Sequence, residues 1–268
     1  MAKTTLKLPG FEGVAAGQTA TLRMPIGRTY ETIYISFTGA TIAQLNEMRI
    51  IANGNVIHRI TEFTKLDAMN QFCGREVQSD GVIAFDFVRH GMRTRASEEV
   101  YALGTGILND PRRVVTLSLE IDIDSDASSP TLSAIAITSN PRLSGNVIYT
   151  KEFTYTVSAA GIFEISDLPK GDAINKIYFG GSSTTVIKSL EVEKDNFIEF
   201  TRTTAQNDKI QEDGKRDPQT GYYVYDPTEL GNNDALPTRN VSDLRFRLDC
   251  TNAGALPVTV EYIAPIEV

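Results

Sequence analysis

The chain has 268 residues, with 26 Lys and Arg against 34 Asp and Glu, a net charge of −8 at pH 7. Its 41% hydrophobic and 22% charged residues fit a soluble globular chain with a substantial core and exclude a disordered one. The acidic balance argues against broad packing on nucleic acid, two histidines exclude a three-histidine metal site, and two distant cysteines exclude a disulfide framework.

In chain order, the start from Met1 to Leu6 has no apolar core region, so no secretory signal is expected there. Ala20 to Met24 alternates polar and apolar residues, and Thr32 to Phe37 places Ile33, Ile35 and Phe37 on one face. Asn53-Gly54 marks a turn. Thr61 to Phe72, with Phe63, Leu66 and Met69 spaced by three, predicts a helix, as does the shorter Ser97 to Leu103. Ser79-Asp80-Gly81 is a second turn. Val114 to Ile123 then alternates throughout: Val115, Leu117, Leu119, Ile121 and Ile123 against Thr116, Ser118, Glu120 and Asp122. That period predicts a strand with one buried face. Phe153 to Val157, Ile174 to Phe179, Leu244 to Cys250 and Pro257 to Ile263 read alike, with Asp195-Asn196 a turn between them. No apolar run approaches the roughly 20 residues of a membrane helix. The pattern is all-β, as in sandwiches and jelly rolls, with a few short helices in loops.

The chain also repeats itself. At an offset of 144 residues Gly17 meets Gly161, Pro25 meets Pro169, Gly27 meets Gly171, Ile33 meets Ile177 and Tyr34 meets Tyr178. Gly81 to Asp86 matches Gly221 to Asp226, and Val115 to Ile121 matches Leu244 to Cys250. A last strand follows Pro130 in one half and Pro257 in the other. The reading is two tandem β-domains, 1–139 and 140–268, divided near Ser139-Asn140-Pro141. A chance match between two alternating patterns is the alternative. Each half supplies about eight strands, enough for its own two-sheet core. Three such chains around an axis would present six similar units.

Several chemistries lack their residues. Gly104-Thr105-Gly106 misses the third glycine of a dinucleotide fingerprint, and neither a phosphate loop nor a Gly-x-Ser-x-Gly elbow occurs. A Ser-His-Asp triad would have to use His58 or His90, each read as an ordinary strand or surface residue. The chain is expected not to be an enzyme.

Taken in order, several segments resemble one family. They are Val14 to Gly17, Pro25 to Glu31, Val82 with Phe85 to Arg89, Ala102 to Thr105, Leu132 to Ala136, Glu164 to Pro169, Asp243 to Asp249 and Val260 to Tyr262. Together they resemble the double jelly-roll major capsid proteins of the corticovirus type, from tailless icosahedral bacteriophages with an internal membrane. The resemblance implies two tandem eight-stranded jelly rolls and pseudo-hexameric homotrimers. These would tile an icosahedral shell around a membrane-enclosed DNA genome. Implied partners are the chain itself, neighbouring trimers, vertex and minor capsid proteins, and the internal membrane or its proteins, with no direct nucleic-acid contact. The implied location is the virion capsid, after synthesis in the host bacterial cytoplasm. The segments Ala205 to Gly221 and Gly231 to Asn240 depart most from the pattern and are read as exposed polar loops.

Four local features remain. Asp122, Asp124 and Asp126 leave a long strand at alternate positions and form the one candidate metal site, for calcium as a structural ion. The competing reading is a solvated acidic strand end. No other cofactor is expected. Arg89, Arg93 and Arg95 are a candidate anion patch, weighed against an ordinary solvated face. Lys3 and Lys7 are candidates for lipid head groups, or for a terminus that packs under a neighbour. The other functional reading is a surface β-sandwich binding carbohydrate or a host receptor. The chain has no Trp, so that reading would lean on Tyr222, Tyr223 and Tyr225.

Overall fold

The computed structural model describes residues 3–90, 92, 94–107, 109, 113–181, 185–229, 231 and 234–266. The chain forms two compact units, Met1–Thr150 with Ala264–Val268, and Lys151–Ile263.

In the first unit one sheet runs in the order β1 (Thr4–Lys7), β9 (Thr131–Ser139), β3 (Thr29–Thr38), β6 (Val82–Asp86), with β7 (Leu103–Gly104) also on β3. The other runs β2 (Thr19–Arg23), β8 (Leu117–Ile123), β4 (Leu45–Ala52), β5 (Asn55–Ile60). Alternation decides which side of each strand is buried. Leu117, Leu119, Ile121 and Ile123 are buried, while Ser118, Glu120 and Asp122 face outward. The two sheets close on an aromatic seam: His58 of β5 meets Phe85 of β6 edge-on, with ring centres 4.8 Å apart. Helix α1 (Phe63–Phe72) lies between β5 and β6, as the spacing of Phe63, Leu66 and Met69 predicts. The second predicted helix is shorter and starts earlier, as α2 (Arg95–Glu99). Thr94 caps it by accepting from the Ser97 N–H, which fixes its first turn upstream of Ser97.

The second unit repeats the arrangement. One sheet runs β10 (Asn146–Val157), β17 (Gly254–Pro265), β12 (Ala173–Gly180), β15 (Tyr222–Tyr225). The other runs β11 (Gly161–Ile165), β16 (Leu244–Cys250), β13 (Ile187–Lys194), β14 (Phe197–Thr203). Phe179 and Tyr225 of the first sheet meet Phe246 of the second at 6.2 and 6.1 Å between ring centres. Helix α3 (Thr204–Gln211) lies between β14 and β15, where α1 lies between β5 and β6.

The repeat holds at single residues. Tyr34 pairs with Ala84 across β3 and β6, and Tyr178 pairs with Val224 across β12 and β15. The ladder from β3 to β9 skips Glu31, and that from β12 to β17 skips Asn175, the residue 144 further on. A bulge at the same place in both units is a feature two unrelated alternating patterns would not share. The tandem reading therefore stands, and both units are jelly rolls.

The segment from Ala205 to Gly221 is not simply a polar loop. It contains α3, and it is tied down by Asn207, 0% exposed, and Gln211, 1% exposed. The intervening Lys209, Glu212 and Lys215 do face solvent. In the second departing segment Leu236 is 5% exposed and pairs with Ile174 through both backbone groups at 2.9 Å.

Candidate functional site

No pair of groups with catalytic geometry appears among the candidates read from the sequence. His58 is 3% exposed, with Nδ1 2.9 Å from the Thr150 hydroxyl and its ring against Phe85 and Phe87. Burial in that aromatic cage lowers its pKa to about 3. It packs the core as a neutral ring. His90 stands at the rim of a surface cleft of the first unit. Cys73 and Cys250 are not joined in a disulfide.

The acidic run does not converge. Asp122 lies on β8, where its carboxylate accepts from the Thr19 hydroxyl at 2.6 Å and from Arg49 at 3.1 Å. Asp124 accepts from the Asp126 N–H at 2.8 Å and from the Asn46 amide at 3.3 Å, and these bonds hold its pKa below the usual carboxylate range. Asp122 and Asp124 thus turn to different partners, and Asp126 gives its N–H to Asp124. Among the described residues no group of three His, Cys, Asp or Glu lies close enough to hold a metal ion.

The basic candidates are also occupied within the chain. Arg89 is 4% exposed, Arg95 pairs with Glu99 at 2.7 Å, and Arg93 lies outside the described residues. A solvent-facing anion patch is therefore not formed by Arg89 and Arg95. Lys3 bridges the buried Glu31 and Glu99, the latter at 3.0 Å, and so fastens the start of β1 to the unit. Lys7 remains exposed.

The tyrosines named as a sugar platform are not one. Tyr223 and Tyr225 are 2% and 3% exposed on β15, and their hydroxyl pKa values are pushed well above normal by burial.

The features left are surfaces that can meet other molecules. On the outward side of β4 and β8, Arg49 reaches Glu47, Glu120 and Asp122 at 2.7, 3.1 and 3.1 Å. On the outward side of β11, β16 and β13, Arg247 reaches Glu164, Glu191 and Glu193 at 3.0, 2.9 and 2.5 Å. Each face thus gathers three carboxylates around one arginine. The two hairpin tips differ. After the Asp195-Asn196 turn, Phe197 and Ile198 are 73% and 59% exposed; after the corresponding Asn53-Gly54 turn stand Asn55 and Val56. Sequence reasoning missed this apolar tip, although two large apolar residues directly behind a turn are visible in the sequence.

Comparison with known proteins places these surfaces in context. Residues 5–140 match the model described as viral coat protein P2 N-terminal domain, and residues 147–266 match the viral coat protein P2 C-terminal domain. The major capsid protein P2 of Pseudoalteromonas phage PM2 is 27% identical over 270 residues, covering 97% of each chain. The crystal structure of major capsid protein P2 from bacteriophage PM2 superimposes with a TM-score of 0.89, at 26% identity, over 99% of this chain and 98% of that one. The STIV MCP shares the fold alone, with a TM-score of 0.69 at 12% identity over 99% and 98% of the two chains.

Proposed function

As this chain belongs to the viral coat protein P2 family and is a viral major capsid protein, we propose that it works as a homotrimer whose six jelly rolls make one pseudo-hexameric tile of an icosahedral shell. One observation carries the reading: two units with the same strand order, the same bulge and the same strand registers stand in one chain. Three copies give six near-equivalent blocks, so a tile can meet six neighbours with only three chains. The apolar Phe197–Ile198 tip belongs to the contacts between copies. It exists in one unit only, so it distinguishes the two kinds of contact that alternate around such a ring.

The remaining parts of the reading follow from the same premise. The shell encloses a membrane, and the membrane encloses a DNA genome. The net charge of −8 suits a protein kept away from nucleic acid. The chain is made in the bacterial cytoplasm, packs against neighbouring trimers and minor and vertex proteins, and performs no chemistry. The divide between its jelly rolls falls near Ser139-Asn140. Electron microscopy of the purified protein tests the tile: six lobes of similar size around a threefold axis support it, and a two-lobed particle overturns it.

A further inference from the structure

Three pairs in the chain place glycine directly after a side chain that can close a ring on its nitrogen: Asn53-Gly54, Asp80-Gly81 and Asp213-Gly214. In each, attack of the glycine nitrogen on the side-chain Cγ gives a five-membered succinimide, and glycine has no Cβ to hinder it. How firmly the side chain is held decides whether the ring closes, because Cγ must swing away from its partners onto that nitrogen.

Two of the three are held. At the turn between β4 and β5, Asn53 Oδ1 accepts from the Val115 and Thr116 N–H groups at 2.8 and 3.1 Å, and Nδ2 donates to the Arg113 carbonyl at 2.9 Å. The second unit clasps its matching turn in the same way, with Asp195 Oδ1 accepting from the Ser242 and Asp243 N–H groups at 2.9 and 3.0 Å. Asp213 accepts from the Lys215 and Arg216 N–H groups at 2.8 and 2.9 Å and from Arg216 Nη1 at 2.7 Å.

Asp80 differs. With Gly81 it forms a left-handed turn, at φ 54° and 66°, like Asn53 and Gly54 at 51° and 86°. It is exposed, and among the described residues no hydrogen bond or ion pair holds its carboxylate. Its glycine cannot be exchanged, since a Cβ on Gly81 would stand 2.3 Å from the Phe37 carbonyl oxygen. In the second unit Gly221, the counterpart of Gly81, follows Thr220, which has no carboxyl to close a ring.

We propose that Asp80 is a site of spontaneous isoaspartate formation in the folded chain, and that the clasp on Asn53 keeps the intrinsically faster Asn-Gly pair intact. The Gly81 nitrogen bonds to Cγ of the protonated Asp80 carboxyl and gives up its proton, and the carboxyl hydroxyl leaves as water. Water then opens the ring at the former main-chain carbonyl. The backbone now runs through Cγ and is one CH2 longer, with a free α-carboxylate and no change in mass. The longer link disturbs the bonds from the Val82 N–H to the Ser79 carbonyl at 3.0 Å and from the Phe37 N–H to the Gly81 carbonyl at 2.7 Å, so the pairing of β3 with β6 loosens at this end.

The test incubates the purified protein at neutral pH, folded or in guanidinium chloride. Peptide mass spectrometry with electron-transfer fragmentation then separates isoaspartate from aspartate and reads deamidation. In the folded chain isoaspartate accumulates at position 80 while positions 53 and 213 stay intact; in denaturant Asn53 reacts first. Asp80→Asn puts the same Asn-Gly pair in both turns. In the folded variant position 80 should deamidate at least about tenfold faster than position 53, and in denaturant the two should react at comparable rates. No isoaspartate at position 80 of the folded wild type, or position 53 keeping pace with position 80 in the folded variant, overturns the proposal. If Asp80→Asn does not fold, the wild-type order of reaction with and without denaturant decides it. Incubated wild type should also melt below fresh protein. Asp80→Gly, which keeps the left-handed turn without the carboxyl, should not change, and an equal fall in that variant overturns the effect on β3 and β6.

Discussion

The Arg75 guanidinium closes on the Asp86 carboxylate with Nε and Nη2, at 2.6 and 2.7 Å. Asp86 also accepts from the Thr32 hydroxyl at 2.6 Å, so this one carboxylate ties the loop after α1 to both β3 and β6. The second unit makes the same closure with Arg216 and Asp226 at 2.8 Å. Asp86→Ala removes the acceptor and leaves a half-buried guanidinium behind. Its expected cost is about 3 kcal/mol, as for other broken buried pairs. Asp226→Ala, at a carboxylate 0% exposed, should cost at least as much. Urea unfolding of the two variants measures both.

His58 makes stability depend on pH. Its folded pKa of about 3 lies below the unfolded value of 6.5. Between those limits the unfolded chain binds a proton that the folded chain does not, so acid favours unfolding. The contribution is present in full above pH 6.5 and is lost as pH falls toward 3, by on the order of 4–5 kcal/mol. Because the carboxylates titrate over the same range, the difference between proteins isolates the histidine. His58→Gln should lose less melting temperature than wild type between pH 7 and pH 4. Parallel curves would assign the acid loss elsewhere.

Asp122 has Arg49 and Thr19 as partners, and Asp124 has Asn46 and the Asp126 N–H. These bonds hold the acidic strand end within the chain. EDTA should leave the melting temperature of the purified protein unchanged, and added calcium should do the same. A calcium-dependent rise that Asp124→Asn abolishes would establish the metal site.

Phe197 and Ile198 place two large apolar side chains in solvent on one hairpin tip. Burying them against another copy would release roughly 1.5–3 kcal/mol each. Phe197→Ser with Ile198→Ser should therefore weaken self-association at least tenfold while leaving the melting of the dissociated chain within about 1 °C, since surface changes rarely alter stability. Sedimentation velocity across a dilution series reads the first, and calorimetry the second. Unchanged association would remove this tip from the contacts between copies.

Legibility in the sequence followed burial. β8 and β16 alternate cleanly because one face of each is in the core and the other in solvent; β16 is readable from Leu244 to Cys250, while the alternation read from Val114 to Ile123 overran β8, which starts at Leu117 and leaves Val115 exposed. β14 escaped notice because it is an edge strand exposed or half-exposed along its whole length, so no period marks it. α3 escaped for a different reason. It anchors through the amides of Asn207 and Gln211 rather than an apolar stripe, and the one local signal was the capping box of Thr203 with Gln206. The repeat was legible at Tyr34 and Tyr178, which share one offset. The Arg75–Asp86 and Arg216–Asp226 closures were not, because loop lengths between the partners differ by one residue. Lys3 looked like a lipid contact because its partners, Glu31 and Glu99, lie far along the chain.

The most direct test of the whole account is the mass of the purified protein in solution, measured by light scattering behind size-exclusion chromatography. A stable species of about 88 kDa, three times the 29.4 kDa chain, should persist on dilution. A species that stays at 29.4 kDa at all concentrations would contradict it.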